Sequence, residues 1–568
     1  MPFPSKTRSI GLVLGYLLVC PGVSAGHNHT TPAKTACRTL STLLGTDKVQ
    51  SAGGAQYEAS ATGAWDLYNQ FDISAMRTVS FIPTRIMPYE VVVTVRCPAG
   101  IPRFRINNGV LIDFSQMKAF SYDPVRDSIF IEPGVLNGEV YDGLQSQGVA
   151  PVGGRVGAVG FSGLALGGGL SFLSPSQGWA CDRFRSLDVV LTNGRLITAT
   201  RTNEYSDLFT ALKGGGSRFG IVTRYEVDAI HVGTAADKTY WGGTINYVGP
   251  TAAAVVKAID ALVYSNKDPN TVIRTTVAYL NVSGTFTTAA AVALFYNGTE
   301  AQFKQVFANF LAIPAAATNL GPLSYNEVTK VPSQSQAPGI GPRATNVVWI
   351  FLLLYIRFRA LIDALYCHSR MCMGLYALPG SRFIRKSFNN WLNFSISFKN
   401  EVSTAALVIT PVFQSQIDIS RAMVVHPSLH KWSIWIFGYR IDPSLGVTKI
   451  SKSLVLGSID YITSGFPLQP ASFHFMPIPR SPGLPLYLNE SEDVQDALTT
   501  YSGYEKLKEI SRKYDPTRWN ALDALVRSLS APPPQSMPFG GRLESPQGKK
   551  RYFTDWPGPQ ITGIKVTF

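Results

Sequence analysis

Residues 151–169 of the chain read PVGGRVGAVGFSGLALGGG, and a second glycine-rich stretch, KGGGSRFGIVT, follows at residues 213–223. Glycine permits a positive φ and lets backbone N–H groups approach a phosphate, because it has no Cβ. Two such stretches suit a large nucleotide cofactor, although structural turns explain their spacing nearly as well. Neither matches G-x-G-x-x-G after a strand or G-x-x-x-x-G-K-[ST], so the nicotinamide-type and P-loop fingerprints are absent. We call residues 153–169 the first glycine run and residues 214–220 the second glycine run.

The chain around the two runs alternates short strands with short helices. Ser128–Glu132 and Leu187–Thr192 have the β-branched and apolar composition of strands, and Asn193 begins a turn. A helix is predicted from about Asn203 to Gly214, and Ile221–Val227 is predicted as another strand. This alternation predicts an α+β or α/β domain.

The rest of the chain divides into three parts. Residues 231–470 mix strand and helix patterns with many aromatic residues, which indicates a second domain with a broad sheet. A helix near residue 510 should bury one face and end at Pro516. The residues of that face are Tyr504, Leu507, Ile510 and Tyr514. The tail after residue 521 is rich in Pro and Gly and shows no periodicity.

Composition excludes several classes of protein. Of 568 residues, 45% are hydrophobic and only 15% are charged, against a usual charged share of about 25%, so the chain is not a disordered or fibrous protein. The net charge is +14, of which +6 lies in residues 343–386 and +3 in residues 521–568. Because the remainder has no basic stripe with interleaved aromatics, we expect no nucleic-acid partner.

The first 25 residues have the features of a signal peptide. Lys6 and Arg8 precede an apolar segment, Ile10–Val19, and small residues end at Ala25. The apolar segment and a second one at Val347–Ile356 are both too short to span a bilayer, so we expect no membrane segment. The sequence therefore predicts a secreted protein or one of the secretory pathway.

Sequons and cysteines agree with that route. N-glycosylation signals occur at Asn28, Asn281, Asn297, Asn393 and Asn489. Six cysteines are present, and an oxidising compartment would permit a disulfide between Cys37 and Cys97. Cys367 and Cys372 flank His368, but four ligands at zinc spacing are not visible, so we expect no metal site.

Longer motifs give a more specific indication. GGRVGAVGFSGLALGGGLSFLSPSQGWACD at 153–182, LDVVLTNGRLITA at 187–199 and DLFTALKGGGSRFGIVTRYEV at 207–227 follow one another in order. Together they closely resemble the FAD-linked oxidases of the vanillyl-alcohol oxidase superfamily, and in particular the berberine bridge enzyme-like group. LYLNESEDVQDALTTYSGYEKLKEISRKYDP at 486–516 resembles the segment that covers the flavin in that group.

The resemblance implies an α+β fold. A PCMH-type FAD-binding domain of two α/β subdomains would be joined to a substrate domain with a large antiparallel sheet covered by helices. The implied boundaries are a signal peptide at 1–25, an N-terminal segment at 26–83, the FAD-binding domain at 84–230, the substrate domain at 231–470 with an atypical insertion at 343–380, a C-terminal segment at 471–520 and an atypical tail at 521–568.

The same resemblance implies which residues meet the cofactor. Residues that would line the pyrophosphate and the isoalloxazine are Val159, Gly160, Gly163, Leu164 and Gly168. Residues that would follow the flavin edge are Ala180, Cys181 and Asp182. Residues that would meet the adenine and ribose through their backbone are Gly220, Ile221 and Val222.

The chain departs from the family at the flavin-attachment loop. Most members carry an R-G-G-H-like loop whose His bonds to the flavin, whereas here 101–106 runs directly into Asn107-Asn108-Gly109. Some members use a Cys, and Val156 stands at the aligned position. The resemblance with these two changes implies non-covalent FAD. Residues 343–380 and the tail after 516 also depart, which suggests a translated intron as one hypothesis; a transcript that encodes the chain as written would contradict it.

Two residues near the end are the catalytic candidates. Tyr487 and Asn489 match a motif whose polar side chains reach the active site in similar proteins. Tyr487 is the candidate base, although a strand tyrosine with a satisfied hydroxyl explains it equally well. A buried Asn489 would leave its sequon unused. His474 is a weaker candidate, since a lone His is more often structural.

The resemblance implies a function and leaves alternatives open. It implies an FAD-dependent oxidase that transfers a hydride from a small organic substrate to flavin, with O2 as the second substrate. A secondary-metabolite intermediate is favoured, and a carbohydrate is the alternative substrate. The rival hypotheses are a flavoprotein remnant without turnover and a secreted carbohydrate-binding glycoprotein without flavin.

Overall fold

The computed structural model describes most of the middle of the chain and short parts elsewhere. The described residues are 40–42, 49–50, 79–81, 110–112, 114–282, 285–331, 371–376, 382–400, 402–420, 432–441, 489, 498 and 501–516. The signal peptide, the Cys37–Cys97 pair, the loop at 101–108, Val347–Ile356, His474, Tyr487 and the tail after 521 all lie outside these residues.

Strands and helices are numbered here in chain order. The strands are β1 Val49–Gln50, β2 Val79–Phe81, β3 Val110–Ile112, β4 Phe120–Asp123, β5 Ser128–Ile131, β6 Val149–Ala150, β7 Phe184–Val190, β8 Leu196–Thr200, β9 Ile221–Asp228, β10 Ile230–His231, β11 Tyr240–Val248, β12 Thr271–Val282, β13 Thr285–Asn297, β14 Ala317–Leu323, β15 Met371–Tyr376, β16 Val402–Val412 and β17 Trp432–Ile441. The helices are α1 Asn137–Leu144, α2 Phe161–Leu166, α3 Ser174–Gln177, α4 Ser206–Leu212, α5 Thr251–Ser265, α6 Glu300–Val306, α7 Ala308–Leu311, α8 Tyr325–Lys330, α9 Arg382–Ser397, α10 Gln414–Ser420 and α11 Tyr504–Tyr514.

A five-stranded antiparallel sheet takes its strands from before, between and after the two glycine runs. Its strand order is β4-β5-β9-β7-β8, with β9 between β5 and β7. The predicted strands at 128–132, 187–192 and 221–227 are confirmed as β5, β7 and β9. The turn after β7 is also confirmed, because Gly194 has φ +79° and donates its N–H to the Leu191 carbonyl over 2.8 Å.

One predicted helix boundary is wrong by three residues. Helix α4 begins at Ser206 and not near Asn203. Asn203 accepts hydrogen bonds through Oδ1 from the N–H groups of Thr200 and Tyr205 and donates through Nδ2 to the Thr198 carbonyl. Its short polar side chain therefore closes a turn before the helix, in competition with helical hydrogen bonding.

The larger sheet has seven strands and is antiparallel at every pairing that the structure describes. Its order is β14-β11-β13-β12-β16-β17-β15. Helices α5 and α9 contact each other and contribute to the apolar core on one face of the sheet, where Trp391 is fully buried. Alternation along β12 directs Ile273, Val277 and Tyr279 to this face. Both sheets, one of them large, antiparallel and covered by helices, agree with the fold expected from the sequence.

The opposite face of the large sheet shares a core with the five-stranded sheet. Val272, Phe295 and Val412 belong to one apolar cluster with Ile129 and Tyr225 of the smaller sheet. The ring of Phe295 meets that of Phe172, which follows the first glycine run, with centroids 5.4 Å apart. The residues after the first glycine run thus lie between the two sheets.

Helix α11 returns to the five-stranded sheet. Leu507, Ile510 and Tyr514 are buried, which confirms the predicted face. Lys513 Nζ lies 2.7 Å from the Asp207 carboxylate of α4, and the Tyr514 hydroxyl donates to the same carboxylate over 2.7 Å. The C-terminal part of the described chain is therefore fixed to the smaller sheet.

Part of the atypical insertion is structured. Within 343–380, the structure describes residues 371–376, which form β15 at the edge of the large sheet and pair with β17. Among the helices of the described ranges, none has the length and apolar character needed to cross a bilayer.

Candidate cofactor-binding site

The first glycine run is attached to helix α1 through one buried asparagine. Asn137 donates to the Val159 carbonyl from its backbone N–H over 2.9 Å and from Nδ2 over 2.7 Å. Its Oδ1 accepts the Gly154 N–H over 2.7 Å, and the Tyr141 hydroxyl donates to the Gly154 carbonyl over 2.9 Å. Helix α1 therefore holds the first part of the run, from Gly154 to Val159, in place.

These bonds also set where the N–H groups of the run point. The carbonyl groups of Gly154, Gly157 and Val159 all accept hydrogen bonds from α1. In a trans peptide the next N–H points in the opposite direction. The N–H groups that consequently point away from α1 are those of Arg155, Ala158 and Gly160. Three donors on one side of a chain with few side chains are suited to an anionic group.

The end of the first run meets the predicted flavin-edge residues. Cys181 donates its N–H to the Gly168 carbonyl over 3.0 Å, and Ala180 donates to the Gly169 carbonyl over 2.9 Å. A Cβ on Gly169, whose φ is +84°, would lie 2.5 Å from the Ala180 Cβ. Leu164 lies beside Gly169 on the same side. The structure thus brings together residues that the sequence assigned to two separate parts of one site.

Asn489 also reaches the first run. Its Nδ2 donates to the Leu164 carbonyl over 2.7 Å. A Cβ on Gly167 would lie 1.8 Å from its Oδ1, so any larger residue there would displace the Asn489 amide. Asn489 is 6% exposed, and its buried amide is not available as a glycan acceptor.

The two glycine runs are in direct contact. The Gly216 N–H donates to the Leu166 carbonyl over 3.0 Å. Gly214 and Gly216 have φ of +98° and +77°, a region in which other residues are strained. The two stretches that the sequence suggested for one cofactor therefore meet in the structure.

Gly220, Ile221 and Val222 lie in the second part of the same arrangement. Ile221 and Val222 are the first residues of β9 and pair with Val190 and Val189 of β7. Gly220 has φ +154°, and a Cβ there would lie 2.9 Å from the Val190 carbonyl oxygen. These three residues are buried in the sheet, so their backbone is positioned by strand pairing.

Several contacts at the site were not visible in the sequence. Ser162 Oγ lies 2.5 Å from the Tyr225 hydroxyl, and the Phe161 ring meets the Tyr225 ring edge-on at 5.5 Å. Burial raises the pKa of Tyr225, so its hydroxyl stays protonated. Arg155 Nη1 donates to Thr410 Oγ1 of β16 over 3.0 Å. The hydroxyl of Tyr225 fixes α2 on the smaller sheet, and Arg155 links the run to the larger sheet.

The predicted edge residues Cys181 and Asp182 are both buried. Burial, and then the neighbouring Asp182 charge, raises the pKa of the Cys181 thiol well above its usual range, so the thiol is not activated as a nucleophile. Asp182 accepts hydrogen bonds from the Trp179 N–H over 2.9 Å and from Ser420 Oγ over 2.7 Å. Its Oδ1 lies 3.6 Å from the Nζ of Lys213.

The residues present fit a dinucleotide cofactor and give no indication of a metal centre. Two glycine-rich runs meet, and one of them directs N–H groups away from the helix that holds it. A long molecule with a pyrophosphate and polar rings needs donors of this kind. Within the described ranges, no three His, Cys, Asp or Glu side chains are grouped as they would be around a metal ion.

Comparison with known proteins supports the same cofactor. Residues 99–200 match the family described as FAD binding domain. An uncharacterized FAD-linked oxidoreductase of Arthroderma benhamiae is 34% identical over 224 residues, which cover 39% of this chain and 42% of the relative. The FAD-dependent monooxygenase tpcD of Cochliobolus heterostrophus is 38% identical over 154 residues, or 27% of this chain and 28% of the relative. The chain matches less than half the length of these two curated relatives.

Solved structures share the fold over more of the chain. Berberine bridge enzyme from Eschscholzia californica aligns with a TM-score of 0.59 at 14% identity, over 85% of this chain and 97% of that protein. The carbohydrate oxidase from Microdochium nivale gives a TM-score of 0.59 at 17% identity, over 85% and 97% of the two chains. The resemblance to FAD-linked oxidases is confirmed: the chain carries an FAD binding domain at residues 99–200 and has the fold of the berberine bridge enzyme-like oxidases.

Proposed function

We propose that the protein is an FAD-dependent oxidoreductase that oxidises a small organic molecule and uses O2 as the electron acceptor. The observation that carries this proposal is the contact between the two glycine runs, in which the Gly216 N–H donates to the Leu166 carbonyl. The neighbouring backbone of the first run is held by hydrogen bonds to α1. The match of residues 99–200 to an FAD binding domain supports the identity of the cofactor.

The described contacts suggest how the residues would divide the cofactor among them. Those proposed for the pyrophosphate and the ring system are Val159, Gly160, Gly163, Leu164 and Gly168. Ala180 and Cys181 would follow the ring edge through their backbone, since both are tied to the first run. Gly220, Ile221 and Val222 would present backbone to the adenine and ribose. Val156 offers no group for a covalent bond, so we propose non-covalent FAD.

The chemistry supplied by bound FAD would be acceptance of a hydride and return of the two electrons to O2. Asn489 would hold its place in the site through Nδ2 and the Leu164 carbonyl. Tyr487, as the phenolate, would take the substrate proton and become the phenol, as the sequence motif suggests. The apolar walls between the two sheets would exclude bulk water from that transfer.

Two substrate classes are supported to different degrees. The curated relatives include the FAD-dependent monooxygenase tpcD, and together with the sequence motifs this favours a secondary-metabolite intermediate. A carbohydrate is the second candidate, because the fold is also that of the carbohydrate oxidase from Microdochium nivale. A flavoprotein remnant would bind FAD without being reduced by either class of compound.

We also propose passage through the secretory pathway with glycans on the surface. The side chains of Asn297 and Asn393 are exposed in the structure. Asn281 lies in β12 near its end, and Asn28 lies outside the described residues. Asn489 would remain unmodified, because its amide is buried against Leu164. Treatment with an N-glycosidase should lower the apparent mass of the secreted protein.

The experiment that tests the function uses the full chain from a secretory host. The purified protein should show the visible absorbance of oxidised flavin and lose it to the supernatant on acid precipitation. Anaerobic addition of phenolic or of sugar substrates should bleach that absorbance, and air should restore it with formation of hydrogen peroxide. Folded protein that stays colourless in excess FAD would overturn the proposal, and coloured protein that no compound bleaches would favour the remnant.

A further inference from the structure

A set of buried contacts connects the two glycine runs with the large sheet. These contacts are centred on a short turn at Ala180–Arg183. This turn is held to the first run by the N–H groups of Ala180 and Cys181, which donate to Gly169 and Gly168. These contacts therefore include the backbone on which we propose that the flavin edge lies.

The carboxylate of Asp182 connects this turn to two other parts of the molecule. Oδ2 accepts the Ser420 hydroxyl at the end of α10, the helix that follows β16 of the large sheet, over 2.7 Å. Oδ1 lies 3.6 Å from Nζ of Lys213, the residue immediately before the second glycine run. One side chain thus contacts both the large sheet unit and the entrance to the second run.

Asp182 and Lys213 are both deeply buried. Their side chains are 5% and 6% exposed, and Oδ1 makes no hydrogen bond within the described part of the chain. Burial of two charges costs several kcal/mol per ion, and their attraction often does no more than offset it. A buried pair of this kind is weak evidence for stability, so its placement calls for another explanation.

The position of the Asp182–Lys213 pair provides this explanation. Lys213 precedes the glycines whose positive φ turns the chain toward Leu166, and its own backbone N–H is bonded to the Thr210 carbonyl of α4. A glycine-rich segment loses more conformational entropy on folding than other segments do. The attraction between Lys213 and Asp182 therefore restricts the second run at the point where it begins.

We propose that Asp182 and Lys213 are positioning residues for the flavin: their ion pair holds the two glycine runs and α10 in the single arrangement that binds FAD. The inference rests on the proposed function. It differs from a purely structural role in one respect, because cofactor affinity would depend on the pair more strongly than the fold does.

The test compares Asp182→Asn, Lys213→Met and the double variant with the wild-type chain. Asn preserves the acceptor for Trp179 and Ser420, and Met preserves the length of the lysine. Each single variant leaves one buried charge and should lose stability, whereas the double variant removes both and should unfold at a urea concentration close to the wild-type value. FAD affinity, measured by quenching of flavin fluorescence, should fall about tenfold or more in all three.

Two further variants sharpen the result. Lys213→Arg retains the charge and should recover much of the lost affinity and the visible circular dichroism of bound flavin. Glu226→Gln is the matched control, because Glu226 is another buried carboxylate paired with an arginine, at 5% exposure, but it lies at the far end of β9 from the second run. It should lose stability and bind FAD normally.

The outcomes separate this inference from the function on which it rests. A wild-type chain that binds no FAD overturns both. A wild-type chain that binds FAD, together with a double variant that binds it equally well, overturns the positioning role and leaves the function intact. Loss of affinity only in proportion to loss of stability, with no recovery by Lys213→Arg, also overturns it.

Discussion

The two glycine runs are both rich in glycine but need it for different reasons. In the first run, side chains occupy the space that a Cβ would take: Asn137 at Gly154, and Asn489 at Gly167. In the second run, backbone occupies it: a Cβ on Gly215 would lie 2.3 Å from the Ala211 carbonyl oxygen. Side chains can move aside at low cost, but the last carbonyl groups of a helix cannot.

This difference suggests that the first run serves cofactor binding and that the second run serves folding. The first run is held by its neighbours on one side, and we propose that it receives the cofactor on the other. The second run forms the turn between α4 and β9, so the fold itself depends on it. We therefore expect substitutions in the second run to act mainly on stability and those in the first run to act mainly on the cofactor.

The largest effect is expected for Gly215→Ala. The new Cβ would overlap the Ala211 carbonyl and press on the Phe219 ring, which is 2.8 Å from the Cβ position. We expect a loss of about 3 kcal/mol in the free energy of unfolding, measured by urea denaturation. Gly321→Ala in β14 is the control, since its Cβ would meet nothing within 4 Å. Equal stability of the two variants would contradict the comparison.

Asn137→Ala should have the next largest effect. It removes the two hydrogen bonds of the buried side chain, from Nδ2 to the Val159 carbonyl and from the Gly154 N–H to Oδ1, and so leaves the Gly154 N–H without this acceptor. The expected loss is about 2 kcal/mol, together with a clear weakening of FAD binding. Asn203→Ala is a useful reference because this asparagine also bonds to backbone, but in a turn away from the runs. It should lose stability and retain the cofactor.

Glu226→Gln examines the strand that the second run leads into. Burial alone would raise the pKa of Glu226, but hydrogen bonds from Ser186, Arg126 and Ser128 outweigh it and hold the pKa below its usual value. Because the pKa of Glu226 is lower in the folded protein than in the unfolded chain, its charge stabilises the fold at pH values above the ordinary pKa of a glutamate. That stability is lost as the pH falls through the lowered pKa.

The variant should accordingly lose about 1–2 kcal/mol at neutral pH. The difference from the wild-type chain should shrink when urea denaturation is repeated in acid, below the ordinary pKa of a glutamate. A difference that stays constant from neutral pH to strong acid would show that the charge of Glu226 is not its source.

The smallest change in stability is expected for Gly167→Ala. Its Cβ would displace the Asn489 amide, the end of a side chain, so the cost should stay below about 1 kcal/mol. FAD affinity should nevertheless fall several-fold, because Asn489 would be displaced from the Leu164 carbonyl. The measurement is a titration of the apoprotein with FAD beside a urea curve. A large loss of stability with unchanged affinity would reverse the contrast between the runs.

The sequence predicted the parts of the site that are local. The runs, the strands on either side and the buried face of α11 follow from composition and periodicity, and the ordered motifs brought Ala180, Cys181 and Asn489 to the first run. The strands and the buried face of α11 are confirmed because each depends on neighbouring residues, whereas the cofactor roles of Ala180, Cys181 and Asn489 stay predictions. The start of α4 was missed because the side chain of Asn203 competes with the helix.

The remaining contacts depend on pairs that are distant in the chain. Arg155 meets Thr410, and Asp182 meets Ser420, with more than two hundred residues between the partners in each case. Tyr225 reads as an ordinary strand residue until the fold places Ser162 against it. Nothing in a local pattern identifies such partners, because they are selected by the packing of the two sheets.

The bond from Asn489 to Leu164 joins residues separated by 325 positions. Thr192 is likewise bonded to the Tyr514 carbonyl from the far end of the described chain. During translation, the ribosome must therefore release most of the polypeptide before the first run acquires these partners. A nascent chain halted at residue 450 should already contain both glycine runs and yet retain little flavin, so loading of the cofactor would mark the completion of synthesis.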